Sequence, residues 1–352
     1  MTGLLKGRDV RVKPMIEVRN LTKTYMTHER GHTLREVAKN LFHRPMKEVK
    51  AVHDLSFTVQ QGEMLAFLGP NGAGKSTTLK MLTGVLHPTS GEVRALGLVP
   101  WKQRRQYVGR IGAVFGQKSQ LLWDIPPADA FYMNKAIYGV GDREYKQTLD
   151  ELVSLLEVGD VMRKPTRQLS LGERMKCEFI MAMLHRPELV FLDEPTIGLD
   201  MIAKENIRGF IRSMNSQGVT FILTTHDLDD VEMLAERVMV INHGAIVVDD
   251  SLSGLRGRLG EKKSVRLTTE TAVTGEGLPG LSIVERIGPL EIAVEVDTAL
   301  LPLKRFIREF NESYGIIDMS IEQLPIEAVM KELYTEGLSF VSSAREPEVI
   351  KR

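Results

Sequence analysis

The sequence predicts an α/β fold, built on a parallel sheet that helices cover on both faces. Short, almost purely apolar segments alternate with helical patterns, as strands buried in a parallel sheet do. One of them, Met64–Leu68, leads into a glycine-rich loop and then a helix near Thr77. A different kind of sequence follows residue 263, with period-two strands and two amphipathic helices, and predicts a small C-terminal α+β domain.

The composition narrows the class of protein. The 352 residues include 46 Lys and Arg and 46 Asp and Glu, so the formal net charge is zero. This balance argues against a nucleic-acid partner, which a basic surface would favour. The single cysteine is consistent with a reducing compartment, and no uninterrupted apolar stretch approaches about 18 residues. We therefore expect a soluble cytosolic protein, in which any membrane role needs a partner.

The predicted elements divide the chain into domains. Strands are expected at 15–25, 49–59, 108–115, 189–192, 220–223 and 237–241. The interval of about 118–188 is mostly helical, most clearly at 128–138, 145–156 and 174–184. One domain is predicted over 15–253. A glycine-rich, charged linker at 254–263 and the α+β domain at 264–342 follow it.

The basic stretch 26–50 carries apolar residues at helical spacing from Leu34 to Phe42, which predicts an amphipathic helix. Basic residues such as Arg35 and Lys39 fall between the apolar positions. Two interpretations stay open. The helix packs on its own domain, or it contacts a membrane partner or lipid headgroups.

The loop that begins at Gly69 matches the phosphate-binding pattern G-x-x-x-x-G-K-[ST] at every position. A strand, a glycine-rich turn and a helix in this order aim backbone N–H groups and the helix N-terminus at one point, which forms an anion site. The lysine supplies positive charge for β and γ phosphates, and the next hydroxyl can bind Mg²⁺. The candidate nucleotide-binding residues are Asn71, Gly72, Gly74, Lys75, Ser76 and Thr77.

Four other polar residues lie at or just after the ends of predicted buried strands, and they are Asp193, Glu194, Gln117 and His226. Because strand ends of an open parallel sheet meet at one edge, we expect all four beside the phosphate loop. Asp193 can hold Mg²⁺ opposite the Ser76 hydroxyl, and Glu194 can deprotonate an attacking water. The Gln117 amide can contact Mg²⁺, and His226 can hydrogen-bond a γ-phosphate or that water.

These segments together resemble the ATP-binding subunit of an ABC transporter over residues of about 15–250. The landmarks of that family occur in order: the phosphate loop, the Gln117 loop, a signature segment at 169–173, the two acids, the segment 198–200 and the switch His226. Tyr25 falls where the family stacks an aromatic side chain on adenine. The resemblance implies a P-loop NTPase core of the ABC ATPase type, with a mostly helical subdomain and an antiparallel β subdomain.

The signature segment departs from the usual Leu-Ser-Gly-Gly-Gln of the family, because Leu171 replaces a Gly and Glu173 replaces the Gln. Ser170 can cap the following helix, whose N-terminus can then face a phosphate. In the family this phosphate belongs to ATP held by the other subunit. The resemblance therefore implies that Ser170, Gly172 and Glu173 contact nucleotide across a dimer. A subfamily variant, an asymmetric partner and slow hydrolysis stay open as explanations of Glu173.

A finer similarity connects the chain to the ATPase components of bacterial drug-, sodium- and viologen-type exporters, through the segments 78–84, 115–121, 169–174 and 223–227. It implies an ATPase that drives export through separate membrane permease subunits, with ATP and Mg²⁺ as cofactors. The implied catalytic residues are Lys75, Glu194 and His226. The implied metal contacts are Ser76, Gln117 and Asp193.

The expected partners are integral-membrane permease subunits and a second ATP-binding subunit, in a homodimer or a heterodimer at the cytoplasmic face of the cell membrane. The alternative is a soluble ABC ATPase that serves a non-transport machine. One phosphate loop, and no sustained heptads between Gln117 and Ser170, favour the transport subunit. The domain at 264–342 is expected to act in subunit contact or regulation, or to serve as a stabilising cap.

Overall fold

The structure is a computed structural model, and it describes residues 14–28, 46–258, 262–273 and 279–323. The chain forms two compact units, Met1–Asp249 and Asp250–Arg352. This division falls a few residues before the predicted linker, and a helix occupies the first half of that segment. The helix predicted from Leu34 to Phe42 and the last one, expected to begin at Pro325, lie outside the described residues.

The described elements of the first unit follow in chain order. Its strands are β1 Ile16–His28, β2 Met46–Val59, β3 Met64–Leu68, β4 Ser90–Ala95, β5 Ile111–Phe115, β6 Leu189–Asp193, β7 Thr220–Thr224, β8 Arg237–Asn242 and β9 Ala245–Ser251. Its helices are α1 Lys75–Leu82, α2 Arg104–Val108, α3 Pro127–Tyr138, α4 Asp142–Leu156, α5 Leu171–Met183, α6 Met201–Ser216 and α7 Leu228–Leu234, with a 3₁₀ turn at Thr166–Gln168.

A six-stranded sheet carries the site-bearing loops of this unit. Its strand order is β5-β6-β7-β3-β8-β9, and the pairs from β5 to β8 are parallel. Every residue of β3 and β7 is buried, as near-continuous apolar strands covered on both faces should be. Because β5, β6, β7 and β3 are neighbours and parallel, their carboxyl ends lie along one edge of the sheet.

A three-stranded antiparallel sheet, in the order β2-β1-β4, packs against the parallel sheet. Both contribute to one core, in which Phe57 of β2 meets Phe67 of β3 edge to face, with ring centroids 5.6 Å apart. The interval between β5 and β6 holds α3, α4 and α5, which forms the predicted helical part. The fold prediction for this unit is therefore confirmed.

The strand predicted over 108–115 is too long, and the structure corrects it. Helix α2 ends at Val108 and β5 begins only at Ile111. Apolar residues flank the junction of the two elements, because Tyr107 of α2 also lies in the core, with its hydroxyl donating to the Leu82 carbonyl oxygen at 2.7 Å. The end of α2 and the start of β5 both carry apolar residues, so the sequence suggested one longer strand.

The described part of the second unit forms a four-stranded antiparallel sheet with a helix against one face. Its sheet order is β11-β12-β10-β13. Its own core includes Val265, Val294, Phe306 and Phe310. The elements are α8 Leu252–Arg258, β10 Lys262–Thr269, β11 Leu281–Arg286, β12 Glu291–Asp297, α9 Leu303–Tyr314 and β13 Ile316–Gln323.

None of the described helices combines the length and the apolar character that a membrane span requires.

Candidate functional site

The phosphate loop joins β3 to α1 and turns where only glycine fits. Gly74 caps α1 with φ at 110°, and a Cβ there would lie 2.5 Å from the Ala51 carbonyl oxygen of β2. The Gly72 backbone also has a left-handed φ of 81°, with open space where a Cβ would project. The loop is therefore an open concave turn of backbone, of the kind that can enclose an anion.

The Lys75 side chain folds back across this loop. Its Nζ donates to the carbonyl oxygens of Gly69 at 2.6 Å and Pro70 at 3.1 Å. The residue is 6% exposed, and burial lowers the pKa of the Lys75 amine while the Glu194 and Asp193 carboxylates oppose that shift. A phosphate group in the loop would place further negative charge beside the buried amine, so the site favours a polyanionic ligand.

Asp193 lies at the end of β6 and faces the start of α1. The Ser76 hydroxyl donates to Asp193 Oδ1 at 2.9 Å, and the Thr224 hydroxyl at the end of β7 donates to the same oxygen. Ser76 and Asp193, which were predicted on opposite sides of a Mg²⁺ ion, contact each other directly in this structure. Thr224 was missed, although its place before Thr225-His226 could have suggested it.

Glu194 points to a different set of partners. Gln117 Nε2 donates to Glu194 Oε2 at 3.2 Å, and His226 Nδ1 lies 3.2 Å from Glu194 Oε1. The Glu194 backbone adopts a left-handed φ of 53°, which is costly for a residue with a Cβ. Its amide is bonded to the Thr224 carbonyl at 2.9 Å, which stabilises this turn. Residues predicted from four separate segments thus meet at one strand edge.

Tyr25 lies in β1 near the loop. It pairs with Val49, two residues before the Ala51 carbonyl that approaches Gly74, so it lies roughly 7 Å along the strand from the loop contact. Its side chain is 39% exposed, and Lys23 Nζ is 5.3 Å from the ring centroid. The Tyr25 ring is thus accessible for stacking. Asn71 is exposed and Thr77 is half-buried.

The signature segment forms a separate local structure at the start of α5. Ser170 Oγ accepts from the Glu173 amide at 3.2 Å, and Glu173 Oε2 accepts from the Ser170 amide at 2.7 Å, which is a capping box. The bond from the Ser170 backbone holds the pKa of Glu173 below its usual range. Glu173 thus serves the helix end, and a Gln at this position could accept the same bond.

The first turn of α5 packs against the segment that begins α6. A Cβ on Gly172 would lie 3.0 Å from Ala203 Cβ, and one on Gly198 would lie 3.2 Å from Leu171 Cδ2. Leu171 is 37% exposed, and Met201 and Ile202 on the neighbouring turn are 82% and 76% exposed. The extra side chain of Leu171 therefore belongs to a small exposed apolar surface beside Ser170.

A buried ionic cluster that the sequence analysis missed lies behind His226. Asp230 is fully buried and accepts from Arg208 Nε at 2.8 Å, from Thr225 Oγ1 at 3.2 Å and from Thr196 Oγ1. It thereby joins the segment after Glu194, α6 and the residue before His226. A charged residue among the buried positions of α6, such as Arg208, was the available sequence signal.

Residues near the loop fit a magnesium ion by chemistry. Ser76 Oγ and an Asp193 carboxylate oxygen lie together, and oxygen donors of this kind suit Mg²⁺, which usually keeps few protein ligands beside substrate phosphates. Among the described residues, no group of three or more His, Cys, Asp or Glu side chains could hold a metal. Gln117 bonds to Glu194 rather than to Asp193.

Sequence comparisons identify related proteins. The ABC transporter family profile matches residues 52–197. The ABC transporter ATP-binding protein NatA of Bacillus subtilis is 31% identical over 61% of this chain and 87% of its own length. The cobalt import ATP-binding protein CbiO of Rhodobacter capsulatus is 33% identical over 59% of this chain and 75% of its own length.

Longer proteins also match. ABC transporter A family member 5 of Dictyostelium discoideum is 28% identical over 98% of this chain, which spans 21% of that protein's length.

Solved structures show the same fold. A structure described as the ATP binding subunit of an ABC transporter aligns with a TM-score of 0.58 at 23% identity, over 70% of this chain and 93% of its own. A dimeric ATP-binding cassette in a post-hydrolysis state, bound to ADP and Pi, aligns with a TM-score of 0.56 at 22% identity, over 68% and 99%.

A glycine at the end of β5 tests how tightly the strand edge is packed. A Cβ on Gly116 would lie 2.1 Å from the Glu194 carbonyl oxygen. We expect Gly116→Ala to lower the free energy of unfolding by about 1–3 kcal/mol, because the backbone must shift. Gly209→Ala in α6 has no heavy atom within 4 Å of its Cβ and should stabilise by about 0.5–1 kcal/mol. Chemical denaturation measures both, and equal effects would contradict the packing.

Proposed function

Because this chain belongs to the ABC transporter family of ATP-binding proteins, we propose that it is the ATP-hydrolysing subunit of an exporter, acting with separate membrane permease subunits. The observation that carries the proposal is the edge of the parallel sheet, where the phosphate loop faces two carboxylates with different partners. Asp193 is bonded to Ser76 of the loop, and Glu194 lies between Gln117 and His226. This arrangement suits nucleotide phosphates on one side and water on the other.

ATP binding uses the loop, the lysine and the strand β1. The phosphates lie in the concave backbone turn at α1, and the Lys75 amine exchanges its carbonyl partners for phosphate oxygens. This exchange is favourable because the largely buried Lys75 amine makes charge-assisted hydrogen bonds to the phosphate oxygens. Tyr25 stacks on adenine with its exposed ring face. Ser76, Asp193 and the Gln117 amide would hold Mg²⁺, which when bound offsets the charge of the β and γ phosphates.

Hydrolysis depends on Glu194 as general base. Its carboxylate accepts a proton from the water that attacks the γ-phosphate, and Gln117 and His226 fix its two oxygens. His226 is 55% exposed, so its ring can also reach the γ-phosphate from the solvent side. The ionic cluster around Asp230 holds the backbone on the N-terminal side of His226 through Thr225.

A second ATP-binding subunit completes each site. Ser170 and Gly172 at the start of α5 face the ATP held by the partner, with the helix N-terminus toward its phosphates. The apolar side chains of Leu171, Met201 and Ile202, which lie exposed on the same surface, become buried in the dimer. Glu173 reaches this interface as part of the capping box rather than as a free charge.

The permease docks beside the Gln117 loop. Trp123 is 59% exposed and Leu122 is 49% exposed, so both are available to a partner helix. Leu121, directly before them in the chain, is 5% exposed and belongs to the core. Tyr132, Met133 and Ile137 on α3 are exposed as well. We assign export from the finer sequence similarity. The relative named for cobalt import makes import the competing outcome of a vesicle assay.

The roles of Lys75 and Glu194 can be separated by two substitutions. Lys75→Ala should abolish ATP binding because the phosphates lose their cation, whereas Lys80→Ala, further along α1, should not. Glu194→Gln should bind ATP normally but hydrolyse it about 10²–10⁴ times more slowly, the scale of a lost general base. Nucleotide binding and phosphate release measure these effects. A wild-type hydrolysis rate for Glu194→Gln in the assembled complex would refute the general-base role.

The docking surface predicts a split between transport and basal turnover. Trp123→Ala removes a largely exposed side chain. The free energy of unfolding should therefore change by less than about 0.5 kcal/mol, and the basal ATPase activity should persist. Transport and permease-stimulated ATPase should fall, because the apolar contact is lost. Val85→Ala is the control, since Val85 is 62% exposed and lies outside 118–188. Equal losses of basal and stimulated activity would instead support a structural role, and no copurifying membrane chain would favour a soluble machine.

A further inference from the structure

A buried carboxylate on α5 holds the loop that follows Gln117. Glu178 is 4% exposed. Its Oε1 accepts hydrogen bonds from the Ser119 hydroxyl, from the Gln120 amide at 2.9 Å and from the Leu121 amide at 3.3 Å. Its Oε2 also lies 3.2 Å from the Gln120 amide nitrogen. Three consecutive loop residues therefore share one acceptor group on another element.

The Glu178 carboxylate is buried among apolar residues, at a cost in free energy that hydrogen bonds to the loop offset. A carboxylate taken out of water is costly, and burial raises the pKa of Glu178, while the bonds from Ser119 and the two amides oppose that shift. The positions around it on α5, Cys177, Phe179 and Ile180, are buried and apolar. An apolar residue there would leave the Ser119 hydroxyl and the Gln120 and Leu121 amides without this acceptor, so the Glu178 carboxylate acts on the loop rather than on the packing of α5.

The same loop reaches the hydrolysis site at its other end. Gln117 Nε2 is bonded to Glu194 at 3.2 Å, so residues 117–121 run from one carboxylate to a second. Glu178 also lies eight residues after Ser170, or roughly 12 Å along α5. Leu122 and Trp123, which are exposed, follow the loop directly. One short segment thus connects the hydrolysis site, the signature helix and the proposed docking surface.

We propose that Glu178 is a positioning residue that locks loop 117–121 to α5, so that occupancy of the ATP site is transmitted to Trp123 and Ser170 as one movement. The inference rests on the proposed ATP site but adds the element that couples it to the rest of the molecule. When ATP changes the contact between Gln117 and Glu194, the loop cannot absorb the shift by itself, because its other end is fixed to a helix. The loop and α5 therefore move together, and Trp123, which directly follows the loop, moves with them.

The chain offers an internal reporter for this movement. It contains two tryptophans, Trp101 and Trp123. In a Trp101→Phe parent, Trp123 is the sole tryptophan, and its emission and acrylamide quenching report on the loop. ATP with Mg²⁺ is titrated into the full-length parent and into the same chain carrying Glu178→Gln or Glu178→Ala. Calorimetry measures ATP affinity independently of the fluorescence.

We expect the parent to show a saturable Trp123 change on ATP binding. Both Glu178 variants should keep their ATP affinity within about threefold while the amplitude of the change falls to about half or less. Met183→Ala is the matched control, because Met183 is buried on the same helix away from the loop. It should lower stability but preserve the amplitude.

The outcomes separate two failures. If the parent binds ATP and the Glu178 variants retain the full amplitude, or if Met183→Ala reduces it equally, Glu178 has only a structural role and the inference is wrong. If the parent binds ATP without any Trp123 change, the loop does not transmit occupancy and the inference is also wrong. If the parent binds no ATP by calorimetry, the proposed function fails together with the inference that rests on it.

Discussion

Two adjacent carboxylates at the end of β6 organise the site. Asp193 is the last residue of β6. Glu194 follows it with a left-handed backbone, so its side chain does not continue the alternation of the strand. Asp193 is thereby bonded to Ser76 and Thr224, and Glu194 to Gln117 and His226. A strained residue of this kind costs about 1–3 kcal/mol and persists where its surroundings hold it in place. The neighbouring strands do so, through bonds from the Glu194 amide and the Gly116 amide.

The order of the parallel strands makes this possible. Strand β6 lies between β5 and β7, so the residues that follow those strands flank its carboxylates. Strand β3 is next to β7 and delivers the phosphate loop to the same edge. Behind the edge, Asp230 and Arg208 fix the segment that carries His226, and Glu178 fixes the loop that carries Gln117. Each of the two residues that bond to Glu194 therefore lies in a segment that a buried carboxylate holds by hydrogen bonds.

Local sequence was sufficient for some of this account. The strand, loop and helix around Lys75 follow from a short motif, and the residues after each apolar strand followed from sheet geometry. The cap by Ser170 was also predicted, but the return bond to Glu173 was not, although the spacing of three residues is that of a capping box. The buried groups that hold the Gln117 and His226 segments in place could not be predicted from local sequence. Glu178 bonds to residues 57–59 positions away, and periodicity does not show the partner of a buried charge. Leu121 and Trp123 are equally apolar, and only tertiary packing separates core from surface.

We propose that the two carboxylates act on different groups, with Asp193 serving the metal and Glu194 serving the water. This assignment is tested most directly by the Mg²⁺ dependence of ATP affinity in Asp193→Asn, which keeps an oxygen that can accept from Ser76 and Thr224. Titration calorimetry in Mg²⁺ and in chelator gives the ratio of the two affinities. We expect the wild-type protein to bind ATP more tightly with Mg²⁺ than in chelator, and Asp193→Asn to bind ATP about equally under both conditions. An undiminished Mg²⁺ effect in Asp193→Asn would contradict it.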